Sequence, residues 1–203
     1  MPLRPVLGNR DYVGSDCKAL DHWFSRFPDL GRRNAYTRTF RGIRIVVLDS
    51  NVDELGGPRA ERQLRWLERR LDEAAADDGV RALFVAAHPP PFSNRRLDGE
   101  SEWMRGEVFP LLTRYPKVRM VLSGHVHAYE HFQIDGIHCV VSGGAGSPLQ
   151  PLFDAADERT RPDLYRGPRG LHYVRVRAGE RIVVDVMMLR DDGTWFLADQ
   201  FVL

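Results

Sequence analysis

The chain has 203 residues, room for one domain with a core that needs no staples. Its 29 basic and 28 acidic residues nearly cancel, which argues against a dedicated nucleic-acid surface, and 43% hydrophobic with 28% charged residues argues against disorder. No run approaches the ~18 apolar residues of a membrane span, and two cysteines, Cys17 and Cys139, are too few for a disulfide framework or a cysteine-built zinc site.

Pro5-Val6-Leu7 reads as a strand stub running into a Gly8-Asn9 turn. Leu20, Trp23, Phe24 and Phe27 have helical spacing within 16–27, with Ser15 or Asp16 as a cap. Residues 36–40 and 43–48 read as a hairpin about Arg41-Gly42, its second strand buried on both faces. Pro58 to Ala76 is the clearest helix, with Leu64, Trp66, Leu67 and Leu71 on its apolar side. Residues 82–87 form a core strand ending at His88 and three prolines, which cannot continue a ladder. A helix is expected over 101–114 and a strand over 118–122, followed by Gly124-His125-Val126-His127. Five further strand-like runs cover 128–134, 137–142, 171–177, 181–189 and 195–202. The Gly- and Pro-rich stretch between 143 and 170 is long for a loop without a function. Helices alternating with apolar strands, then strands alone, give a layered α/β architecture with a mixed sheet system.

In such sheets, sites form at the carboxyl ends of strands. Asn9, His88 and the pair His125 and His127 all fall there. Imidazole is the commonest protein metal ligand. Residues i and i+2 share a face, so His-x-His can present two rings together, and Gly124 allows close approach. Taken singly, each has a plainer reading: packed or surface histidines, and an asparagine that only makes a turn. Together, four potential ligands at three strand ends favour a metal site.

These residues resemble the calcineurin-like metallophosphoesterases. Gly8-Asn9-Arg10-Asp11, the strand-terminal His88 and Gly124-His125-Val126-His127 are similar to that family's last three metal-binding blocks. Leu48-Asp49-Ser50, Gln63-Leu64-x-Trp66-Leu67-Glu68 and His125-Val126-His127-Ala128-Tyr129-Glu130 resemble its purple-acid-phosphatase-like branch. The likeness covers most of residues 3–150. It implies two mixed β-sheets flanked by helices over 1–203, and hydrolysis of phosphomonoesters or phosphodiesters by metal-activated hydroxide attack. It implies that Asn9, His88 and His125 hold one ion and that His127 belongs to a second, the metals being manganese, iron or zinc.

Two departures qualify the resemblance. The family's opening Asp-x-His and Gly-Asp-x-x-Asp/Tyr blocks have no counterpart here, so the domain is expected to lack its N-terminal strands and its bridging carboxylate. At most one ion per chain, impaired turnover, and a homodimer or a partner segment carrying the missing blocks follow as expectations. The alternatives are a catalytically dead binding module of the same fold, or half of a split enzyme. Second, Arg10 stands where the family has a proton-donating histidine; arginine cannot donate usefully but can grip phosphate, or else pair with Asp11 or Asp16 at the surface. Asp11 is the only acid inside a matching block. His131, just past the motif, is a candidate at the substrate mouth. The opening residues carry no signal-peptide pattern, and the compartment stays unassigned.

Overall fold

A computed structural model of the chain describes residues 3–13, 18–153, 157, 159–165 and 167–203. The expected cap at Ser15 or Asp16, Cys17, and the Arg10–Asp16 pairing lie outside the described residues.

The largest sheet has six strands in the order β1-β2-β3-β4-β6-β5. The hairpin β1 (Tyr36–Phe40) and β2 (Ile43–Val47) turns at Arg41 and Gly42, whose φ angles of 48° and 77° suit a tight two-residue turn that follows strand twist. Next come β3 (Ala82–Ala87), β4 (Val118–Ser123) and β6 (Ile137–Ser142), all parallel to β2. The edge strand β5 (Tyr129–Ile134) folds back on β6 through Asp135-Gly136, again with both φ positive. Four parallel strands therefore end on one side of the sheet, at Asp49, His88, Gly124 and Gly143. The second sheet is a three-stranded antiparallel meander of β7 (His172–Ala178), β8 (Ile182–Leu189) and β9 (Trp195–Val202).

Period-2 alternation divides the core. Phe84, Met120 and Tyr129 point at Val184, Val186 and Met188 of the second sheet. Leu83, Val85 and Val121 point the other way, onto Leu67, Leu71 and Ala74 of α3 (Gly57–Ala75), whose apolar positions recur every three to four residues. The layers thus run helix, mixed sheet, antiparallel sheet. A third cluster joins Leu7 and Val47 to Trp23 and Phe24 of α1 (Ala19–Arg26). A one-turn helix, α2 (Val52–Leu55), precedes α3.

Two expectations change. Residues 5–7 form no strand: Tyr36 Oη donates to the Pro5 carbonyl at 2.5 Å and Asn51 Nδ2 to the Leu7 carbonyl at 3.0 Å. Side chains, not a neighbouring strand, take up that backbone. The helix expected over 101–114 winds as a π-helical turn, Met104–Val108, before α4 (Phe109–Leu112). Pro110 has no N–H for an α-helical bond to the fourth residue back, and its ring would crowd that carbonyl, so the looser turn is the relaxed solution.

Candidate metal centre

His88 is positioned by both of its backbone groups. Its N–H donates to Ser50 Oγ at 3.0 Å, and its carbonyl accepts Gly124 N–H at 3.1 Å, tying the ends of β2, β3 and β4 together. The ring lies against Gly8, where a Cβ would stand 3.1 Å from its nearest ring atoms; the glycine is what lets the ring in.

His88 Nε2 stands 3.0 Å from Asn9 Oδ1 and 3.3 Å from His125 Nδ1. His125 has φ 64°, a left-handed conformation uncommon for a residue with a Cβ and one that clusters at functional sites. Its Nε2–H donates to the Asp98 carbonyl at 3.0 Å, which leaves the lone pair on Nδ1, facing His88. Three lone-pair atoms side by side need a proton or a cation between them. With ligand bonds of ~2.0–2.1 Å, neighbouring ligands of one ion lie roughly 3.0–3.4 Å apart, so the spacing fits. Burial and the nearby His125 and His127 hold the His88 pKa down at about 4, and burial first also lowers that of His125. Both rings are neutral at pH 7, the form that ligates metal.

Among the described residues, no group of three or more His, Cys, Asp or Glu side chains could hold an ion, so this donor set depends on the Asn9 amide. His127 lines the same open cleft, of about 690 Å³, but turns toward the 143–150 loop. Its Nδ1 donates to the Pro148 carbonyl at 3.0 Å, and its N–H donates to Gln150 Oε1 at 3.0 Å. Arg10 is exposed on the cleft wall without an Asp11 ion pair among the described residues. Asp11 Oδ2 accepts Gly8 N–H at 2.8 Å and closes the short turn Asn9–Tyr12, so it positions Asn9 and does not face the cleft chemistry itself.

His131 is not at the mouth. It is 3% exposed, on the face of β5 that meets the second sheet, because it lies two residues from the inward Tyr129. Its Nδ1 bonds Asp199 at 3.1 Å, its Nε2 bonds His138 at 2.9 Å, and its ring packs on Phe201. Its neighbour Glu130 points to the opposite face and accepts Ser93 Oγ–H and Asn94 N–H at 2.6 and 2.7 Å. That anchors the loop carrying Asp98 over His125 and Arg95 beside it. The motif strings around Asp49 and Glu130 signalled these residues, but their partners were not readable from spacing.

The family model for calcineurin-like phosphoesterases matches residues 1–129. The chain belongs to this family. It is 38% identical over 107 residues to the 3',5'-cyclic adenosine monophosphate phosphodiesterase CpdA of Escherichia coli (strain K12), covering 51% of this chain and 38% of that protein. It is 27% identical over 175 residues to purple acid phosphatase 15 of Arabidopsis thaliana, covering 78% and 32% respectively. The chain thus spans about a third of the length of these curated relatives. Among solved structures, GAP50, the anchor in the inner membrane complex of Plasmodium, superposes with a TM-score of 0.62 at 15% identity, covering 84% of this chain and 54% of that one. That likeness concerns the fold alone.

Proposed function

We propose that this chain carries the neutral-donor side of a metal-dependent phosphoester hydrolase site. Asn9, His88 and His125 would hold one divalent ion, manganese, iron or zinc, and His127 would face the place of a second ion that this donor set alone does not retain. The observation that carries the reading is the row of Asn9 Oδ1, His88 Nε2 and His125 Nδ1 at ligand-to-ligand spacing. The names of the relatives, a cyclic-nucleotide phosphodiesterase and a purple acid phosphatase, support a phosphodiester or phosphomonoester substrate.

When bound, the ion would act as a Lewis acid toward phosphoryl oxygen. The chain's own groups do the rest. Arg10 and Arg95 line the cleft on the His127 side and offer guanidinium groups to the equatorial phosphoryl oxygens. A guanidinium is a hydrogen-bond donor and not a useful general acid, so Arg10 would bind the phosphoryl group and not protonate the departing oxygen. The Asp98 carbonyl fixes the His125 tautomer, and Ser50 fixes the His88 backbone. Three neutral donors leave the charge of a dication unbalanced, so we expect at most one ion per chain, held more tightly when a phosphate ester is present.

The test is calorimetric titration of zinc and manganese, with and without 4-nitrophenyl phosphate, alongside hydrolysis of that ester. One ion per chain, lost in His88→Ala and His125→Ala, is expected. Metal uptake unchanged by both substitutions would overturn the assignment.

A further inference from the structure

A second concavity lies on the other side of the Asp49 strand end, between α1, the turn at 31–35 and the first half of α3. It is an open pocket of about 540 Å³, within the range of small-molecule sites. Four arginines, Arg32, Arg33, Arg59 and Arg62, line it, and among the described residues no Asp or Glu does. In a chain whose charges otherwise nearly cancel, that is a local excess.

The helix supplies one wall. Arg59, Arg62, Gln63 and Trp66 stand at i, i+3, i+4 and i+7, so they form one stripe of α3. Arg59 and Arg62 are exposed, and neither has an ion-pair or hydrogen-bond partner among the described residues. Arg33 is held from behind by backbone carbonyls, Leu30 O at 2.8 Å and Asp29 O at 3.3 Å, which orient the guanidinium without cancelling its charge. Arg32 is partly engaged already, by Asp21 at 2.7 Å and by the Phe24 ring 5.3 Å below it. The floor is apolar: Leu55 is buried and Trp66 half-buried.

Solvated arginines on a convex face simply spread apart. Four in the lining of one concavity, only one of them paired with a carboxylate among the described residues, leave an excess of positive charge that a polyanion relieves while taking bidentate hydrogen bonds. The ligand must also carry a flat apolar body for the Trp66 wall. We infer that this pocket binds a nucleoside triphosphate, whose phosphates answer the excess of arginine over acid in the lining and whose base packs on Trp66. The assignment is independent of the hydrolytic reading. The pocket has no lining residue in common with the metal-centre cleft; Asn34 and Gln63, which line it, bond Asp49 behind it.

The experiment titrates the full chain, without added metal, with ATP, inorganic tripolyphosphate and adenosine, following heat. ATP should bind, tripolyphosphate more weakly, adenosine more weakly still. Arg59→Gln and Arg62→Gln, both exposed and so safe for folding, should each weaken ATP by about tenfold or more. Arg181→Gln, an exposed control elsewhere, should change nothing. Trp66→Leu, with its fold checked by circular dichroism, should erase the advantage of ATP over tripolyphosphate; Trp66→Phe should keep it. No binding of ATP, or binding indifferent to the Arg59→Gln/Arg62→Gln pair, overturns the proposal. Tripolyphosphate binding as well as ATP overturns the nucleotide assignment in favour of a simple anion site. No arm measures hydrolysis, so failure here is distinct from failure of the hydrolase reading.

Discussion

Gln63 grips Asp49 by both of its backbone groups: Asp49 N–H donates to Gln63 Oε1 at 3.0 Å, and Gln63 Nε2 donates to the Asp49 carbonyl at 2.7 Å. A helix side chain here does the work of a neighbouring strand at the end of β2. The Asp49 carboxylate is thereby free to brace the site. It accepts the Tyr12 hydroxyl, Asn34 Nδ2 at 3.0 Å, and Asn51 N–H and Nδ2 at 3.2 and 2.9 Å. Tyr12 ends the turn that begins with Asn9, and Asn51 holds Leu7 just ahead of it. Asp49 is therefore the residue through which the helix layer fixes the first metal-ligand candidate.

Gln63→Leu removes both bonds and leaves two buried backbone groups unpaired. At roughly 1–3 kcal/mol for each unsatisfied group, the chain should lose about 2–6 kcal/mol, read as a lower urea midpoint. Gln63→Glu keeps one acceptor but sets a carboxylate against the Asp49 carbonyl, and should be no better. A midpoint within experimental scatter of the wild type in both variants would show that water replaces the clamp.

Most of the fold was legible because its signals are local. The apolar run at 82–87 is β3 to the residue, and Arg41-Gly42 marks the turn it makes. The strand-end placement of His88 and His125 followed from the same punctuation, whereas Asn9 follows an irregular segment and not a strand. What stayed hidden depends on contacts distant in sequence. Pro5-Val6-Leu7 looks like a strand until Tyr36 and Asn51 claim its carbonyls. His131 has the chemistry of a cleft residue, but only the pairing of β5 with β6 shows that its face of the strand meets the second sheet. The Asp49–Gln63 clamp spans fourteen positions, and no periodicity encodes it.

Gly8 tests whether ring placement governs metal binding. Its φ of −105° is ordinary, so alanine introduces no backbone strain. The added methyl group would meet His88 ring atoms at 3.1 Å, tighter than normal contact, and must push the ring by a few tenths of an ångström. Gly8→Ala should leave the denaturation midpoint nearly unchanged while weakening metal binding by about 10–100-fold, the usual effect of disturbing a ligand's support. Undiminished zinc affinity would mean that His88 does not ligate in this position.

Arg10 governs leaving groups in the hydrolytic reading. Without a proton donor there, nitrophenyl esters should react far faster than alkyl esters. Arg10→His should raise alkyl-ester turnover selectively, by up to the roughly 10²–10⁴-fold that general acids contribute. His131 is walled into the inter-sheet core, so His131→Ala should alter stability and not this selectivity. Steady-state rates across a series of leaving-group basicities settle the point; a flat series in the wild type would place the donor elsewhere in the cleft.

Glu130 should make stability fall as pH rises. It is fully buried, and burial raises its pKa from 4.5 to about 7, against the pull of Ser93 and Asn94 and with Asp163 pushing further upward. Between those two values the folded chain holds a proton that the unfolded chain has released. The slope of unfolding free energy with pH is then negative, so the contribution is complete below pH ~4.5 and is lost by pH ~7. The shift converts to an upper bound of about 3 kcal/mol. His138, held down to about 4 mainly by burial, works oppositely, losing stability as pH falls toward its folded value. The informative quantity is therefore the difference between Glu130→Gln and wild type in urea unfolding at pH 5 and pH 8. Glutamine mimics the protonated acid and does not titrate, so its relative stability should climb by about 2–3 kcal/mol between the two. A difference that stays constant with pH would show that Glu130 ionises in the fold as easily as in water, and that Ser93 and Asn94 alone hold the loop over His125.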